Sequence, residues 1–125
     1  MKVLVDSSVW VAYFRGTSDL PTVDWLIEEG LVVTNDLILA ELLPPLLVRG
    51  ERKLVSLLRY IERLPLTLDW DDIIQMQVTC LRHGINKVGV PDLIIAQHAR
   101  QNDLSLFSTD KHFALLSKHV PLKLQ

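Results

Sequence analysis

A lone cysteine, Cys80, leaves this chain without a second thiol. A disulfide-framed module and a zinc ribbon are both excluded, because each needs several sulfur atoms. Cys80 is expected to be a small buried hydrophobe. Excess charge is missing as well. Thirteen Lys and Arg against fifteen Asp and Glu give a formal net charge of −2, so a polyanion could be held only by a local cationic patch. No apolar run approaches the about 20 residues that cross a bilayer. The longest, Leu37 to Val48, is interrupted by Glu41 and two prolines. The opening stretch, Met1 to Asp6, is too short for the hydrophobic region of a signal peptide. These absences lead us to expect a cytoplasmic protein with no membrane partner.

What remains is enough for one ordinary domain spanning residues 1–125. A chain of this size buries roughly 68% of the surface its unfolded form exposes, so a core forms without covalent or metal staples. Short β-branched runs alternate with helical spacings. Lys2 to Val5 reads as a strand, and Ser7 and Ser8 are helix starters for Val9 to Phe14. From Asp19 the spacing of Val23, Leu26 and Ile27 is helical until Gly30, and Leu31 to Val33 is a second strand. Thr34 or Asn35 can cap the next helix, which Pro44 and Pro45 should break or kink.

Glu51 to Arg63 is amphipathic through Leu54, Leu57, Leu58 and Ile61. A short strand is expected at Leu64 to Leu68, and helices at Asp71 to His83 and Pro91 to Gln101. Leu104 to Phe107 reads as a further strand, Lys111 to Ser117 as a last helix and Val120 to Leu124 as an edge strand. This alternation predicts a three-layer α/β/α domain on a mainly parallel, roughly five-stranded sheet.

Four acids stand apart from the others. Asp6 directly follows the first strand, and Asp110 follows Leu104 to Phe107 by three residues. Both therefore belong at carboxyl ends of strands, where open α/β sheets bind ligands. Glu41 has only apolar neighbours three and four positions away, Leu37, Ile38, Pro44 and Pro45, so a solvated helix face explains it poorly. Asp92 lies in the first turn of an almost wholly apolar helix. Helix capping is the competing explanation for Asp6, Asp92 and Asp110. If the four meet, compensation is required, since two carboxylates at about 4 Å repel by about 4 kcal/mol at an effective dielectric near 20. A divalent cation supplies it, and an all-oxygen set favours Mg²⁺ or Mn²⁺. His83, His98, His112 and His119 show no ligand spacing.

The segments Val3-Leu4-Val5-Asp6-Ser7-Ser8, Glu41-Leu42, Asp92-Leu93-Ile94-Ile95-Ala96 with Ala99, and Ser108-Thr109-Asp110-Lys111-His112-Phe113 resemble, in order and spacing, the PIN-domain ribonucleases. The likeness is greatest to the VapC toxins of toxin–antitoxin modules. It implies that Asp6, Glu41, Asp92 and Asp110 hold Mg²⁺ or Mn²⁺ and cleave RNA, and that Ser7, Ser8 and Ser108 fill supporting hydroxyl positions. It also implies two protein partners, a second copy in a homodimer and a cognate antitoxin. Helices within residues 19–43 are the candidate surfaces for them. Pro44-Pro45 departs from the pattern.

Arg15, Lys87 and Lys111, in loops or helix starts near the expected crevice, are the candidates for RNA phosphates. Arg52, Arg59 and Arg63 with Ser56 form a row that reads as a solvated face. Trp10, Tyr13 and Phe14 could stack on bases, although core or interface is the commoner role for such a helix. The competing readings are a housekeeping nuclease of RNA processing, a phosphotransfer domain, and a non-catalytic RNA-binding or assembly module.

Overall fold

The computed structural model describes residues 1–17 and 20–125, with Leu20 described through its backbone alone. Five strands form one sheet in the order β3-β2-β1-β4-β5, every neighbouring pair parallel. The strands are β1 (Val3–Val5), β2 (Val32–Thr34), β3 (Glu62–Arg63), β4 (Ser105–Phe107) and β5 (Lys123–Leu124). Helices α1 (Ser7–Arg15), α2 (Leu20–Glu28), α3 (Asp36–Val48), α4 (Arg52–Tyr60), α5 (Trp70–Arg82), α6 (Val90–Gln101) and α7 (Lys111–Leu116) connect them in the three-layer arrangement expected. A parallel sheet needs cover on both faces. Accordingly Val3, Leu4 and Val5 are all buried, as are Val32, Val33 and Leu106, and Cys80 and Phe113 join the same core.

The chain runs outward from β1 to β2 and β3, then returns to the other side of β1 for β4 and β5. That reversal opens a crevice at the carboxyl ends of β1 and β4. The Asp6 N–H donates to the Phe107 carbonyl at 2.9 Å, which holds the two strand ends together there. Gly16, at φ +69°, ends α1 by donating to the Ala12 and Tyr13 carbonyls, a geometry that favours glycine. Asn35 caps α3 by accepting the Ile38 N–H.

Several boundaries differ from the sequence reading. The helix start expected at Asp19 lies outside the described residues. Pro44 and Pro45 neither break α3 nor end it: the helix runs through both to Val48. Both prolines are exposed, so the Ala40 and Glu41 carbonyls that lose their i+4 amides lie on the solvent side, where water can satisfy them. Leu64 to Leu68 is irregular, because Pro65 has no N–H for a ladder, and the strand expected there is displaced to Glu62–Arg63. Helix α4 stops at Tyr60, so Arg63 leaves the expected arginine row and pairs with Asp36.

Trp10 is fully buried, stacked on Phe14 at 5.7 Å and edge-on to Tyr13 at 5.9 Å, so these rings are packing elements. The Tyr13 hydroxyl donates to Asp24 at 2.5 Å, joining α1 to α2 and pushing the phenol pKa up to about 12. None of the described helices is long and apolar enough to cross a membrane.

Candidate active site

Asp6 occupies the capping position of α1, yet its side chain makes no capping bond. Instead Oδ2 accepts from the Ser8 and Ser108 hydroxyls, each at 2.8 Å. The two hydroxyls are 3.3 Å apart and accept the N–H groups of Thr109 and Asp110 respectively. A buried carboxylate is thus oriented by two segments a hundred residues apart in sequence. Capping does not account for Asp6. Ser7 has no side-chain bond of this kind among the described residues and simply opens α1.

Asp110 does cap its helix, accepting the His112 N–H at 2.9 Å, and the same oxygen lies 2.7 Å from His112 Nδ1. Asp92, in the first turn of α6, accepts the Gly89 N–H at 3.3 Å. Each of these two carboxylates therefore keeps one oxygen free among the described residues, as Asp6 does, and Glu41 keeps both. Three of the four sit at helix amino ends, whose partial positive charge eases the gathering of anions.

Electrostatics join the four. Partial desolvation raises the Glu41 pKa above the usual range, and the charges of Asp6 and Asp92 raise it further. Desolvation likewise raises that of Asp92, against the Gly89 hydrogen bond; Asp110 and Asp6 add to the rise, while His112 opposes it. Asp6, Glu41, Asp92 and Asp110 thus share one electrostatic neighbourhood. Glu41 departs from the sequence reading in one respect: it is exposed, not immersed in apolar side chains, because Ala40, Pro44 and Pro45 around it are exposed too.

Among the described residues, no three Asp, Glu, His or Cys side chains are placed so as to enclose a metal ion as they stand. The carboxylates border a gap and do not form a closed cage. The donor set nevertheless fits a hard cation: all oxygen, several lone pairs unengaged, and mutual repulsion that a dication would relieve.

Beside Glu41 a cleft of about 360 Å³ has Arg15 and Arg49 on its rim and Val11, Phe14 and Leu54 among its walls. Arg15 ends α1 and is not in a loop or helix start as expected. Lys87 is exposed between α5 and α6, and Lys111 is exposed as the first residue of α7. Among the described residues, none of these three expected phosphate ligands is tied into an ion pair. The sequence reading missed Arg49 and His112. Arg49 follows the two prolines that were expected to divert the chain. His112 was passed over in a search for metal-ligand spacing, although its position two residues after Asp110 fits a partner for that carboxylate.

The PIN domain family model matches residues 3–118, and the chain belongs to that family. Solved structures agree on the fold. VapBC2 from Rickettsia felis, bound to a DNA fragment from its promoter, superposes with a TM-score of 0.77 at 19% identity, covering 100% of this chain and 98% of that one. VapBC from Salmonella typhimurium, also DNA-bound, gives 0.74 at 18% identity, covering 100% and 97%. VapC20 of Mycobacterium tuberculosis, described as a toxin that cleaves the sarcin–ricin loop, gives 0.62 at 20% identity, covering 91% and 94%. No curated protein matches the chain.

Proposed function

We propose that this chain is a metal-dependent endoribonuclease, the toxin of a toxin–antitoxin module, acting in the cytoplasm with an antitoxin protein as its natural inhibitor. The observation that supports this most is the mutual perturbation of Glu41 and Asp92 by each other and by Asp6 and Asp110, at the strand ends where a PIN domain offers its crevice. Four carboxylates with no cation among them are costly to assemble, so the fold retains them for a ligand.

Asp6, Glu41, Asp92 and Asp110 are the groups that would hold Mg²⁺ or Mn²⁺. When bound, such an ion polarises a scissile phosphate, supplies an activated water and offsets charge on the leaving oxygen. The remaining work belongs to the protein. Ser8 and Ser108 hold Asp6 through Oδ2 and leave Oδ1 free. His112 does the same for Asp110, and the Gly89 amide for Asp92. Such supporting bonds fix ligand geometry before the substrate arrives. Arg15, Lys87 and Lys111, with Arg49, supply the cations that a net acidic chain needs for a phosphodiester backbone.

The test is incubation of the purified protein with single-stranded RNA and with transfer RNA, in Mn²⁺ or in chelator. Cutting that requires Mn²⁺ and vanishes in Asp6→Asn and Asp92→Asn is the expected result. RNA binding without cleavage under all conditions would instead make the chain a binding module.

A further inference from the structure

Helix α5 carries a face that the rest of the chain leaves bare. Its inner side is in the core through Ile73, Met76 and Cys80. On the opposite side Trp70, Ile74 and Leu81 are 55%, 56% and 61% exposed. With Gln77 they recur at four, three and four residues, which places all four within an arc of about 60° on a helix of 3.6 residues per turn. Isolated exposed apolar residues are ordinary, whereas an aligned series containing a tryptophan marks a contact surface. Trp25, within the region that the sequence suggested for partner contacts, is the isolated kind: three and four residues away stand Pro21, Thr22, Glu28 and Glu29, all exposed.

Charge says what the stripe fits. Asp71 and Arg82 lie on one flank of it, near opposite ends of α5, both exposed. Among the described residues, neither has an ion-pair partner within the chain. We propose that α5 is the contact between two copies of this chain, packed antiparallel about a two-fold axis level with Met76. That operation sets Trp70 against Leu81 of the partner subunit and keeps both flanks on the same side. Asp71 then meets Arg82 of the partner subunit, and the reverse pair forms by symmetry. An isologous contact must be self-complementary in this way, and antiparallel helix dipoles add to it. A parallel arrangement would set Asp71 against Asp71. The proposal is independent of the nuclease reading, since none of these residues borders the acidic crevice.

Equilibrium sedimentation of the full chain across a concentration series tests it. A reversible monomer–dimer equilibrium is expected, weakened about tenfold or more by Ile74→Lys, a solvent-facing change that leaves the monomer's circular dichroism unaltered. Asp71→Arg and Arg82→Asp should each weaken self-association. Mixed in equal amounts, these two variants should form a heterodimer at least as tight as the wild-type dimer, because one carries only bases at the two positions and the other only acids. The mixing arm also decides the matter if Ile74→Lys does not fold. A wild-type chain that stays monomeric at several hundred micromolar overturns the proposal. So does a dimer indifferent to Ile74→Lys, or a mixture no tighter than its separate components.

Discussion

Two polar regions of this domain use similar side chains in opposite ways. Between α5 and α6, Gln97 is almost wholly buried and its amide is fully engaged: Nε2 donates to the Asp69 carbonyl at 2.9 Å and to Asp72 at 2.7 Å, and Oε1 accepts the Asp69 N–H at 3.1 Å. Arg100 approaches Asp72 at 3.4 Å. At the carboxyl ends of β1 and β4, by contrast, Asp6, Asp92 and Asp110 each engage one oxygen and keep the other, with only His112 nearby as a cation. Paired acids hold elements together, while unpaired ones stand ready for something the chain does not contain. The lesson is one of stoichiometry: leftover lone pairs, more than the number of acids, separate a binding site from a structural joint.

The sharpest way to break this contrast is Asp6→Asn. RNA cleavage should fall by more than about 100-fold, beyond the 10–100-fold that supporting groups typically contribute. The thermal midpoint should hold or rise, because one of four repelling charges is removed; cleavage assays and calorimetry on the same preparation check both. Ser108→Ala should fall within that 10–100-fold range, measured as Mn²⁺ affinity by titration calorimetry alongside activity.

At the structural joint the pattern reverses. Gln97→Leu leaves the Asp69 peptide and Asp72 without partners, so urea unfolding should show a loss of about 1–3 kcal/mol, with cleavage unchanged well below the midpoint. The gentlest test is acid. His98 is buried, and burial holds its pKa below the ordinary 6.5. Asn35 presents its oxygen to Ile38 and its amide nitrogen to His98 Nδ1, which fixes a neutral ring accepting at that atom. The unfolded chain therefore takes up a proton first. The stability due to neutral His98 is complete above pH 6.5 and is lost as pH falls toward the lower folded pKa. Thermal melts from pH 7.5 to 5 should show this slope, and His98→Leu should flatten it.

Much of the architecture was legible because local chemistry and tertiary fate agree. Val3–Val5 is β-branched or aliphatic and wholly buried, and Gly16 and Gly84 stand at the helix ends where positive φ is required. The failures arise where burial overrides local preference. Pro44 and Pro45 sit inside α3 because Ile38, Leu39, Leu42 and Leu46 anchor its other face, a fact visible only once α3 is packed. Leu64 and Leu66 suggest a strand by spacing, but Pro65 between them removes the donor. Asp6, Asp92 and Asp110 could be suspected from their positions after strands or at helix starts. The engagement of Asp6 by Ser108 could not, since it depends on β4 lying beside β1. Glu41 was singled out for immersion, whereas its exposure at the mouth of the Arg15 and Arg49 cleft is a product of helix orientation.

That pairing of β4 with β1 also governs timing. Asp6 is among the first residues a ribosome would make, while Ser108 and Asp110 come near the end, and only the insertion of Ser105–Phe107 alongside Val3–Val5 brings them together. A nascent chain halted before β4 lacks both the hydroxyl that orients Asp6 and the acid opposite it. The cell that makes this protein is therefore spared a working crevice until translation is nearly over.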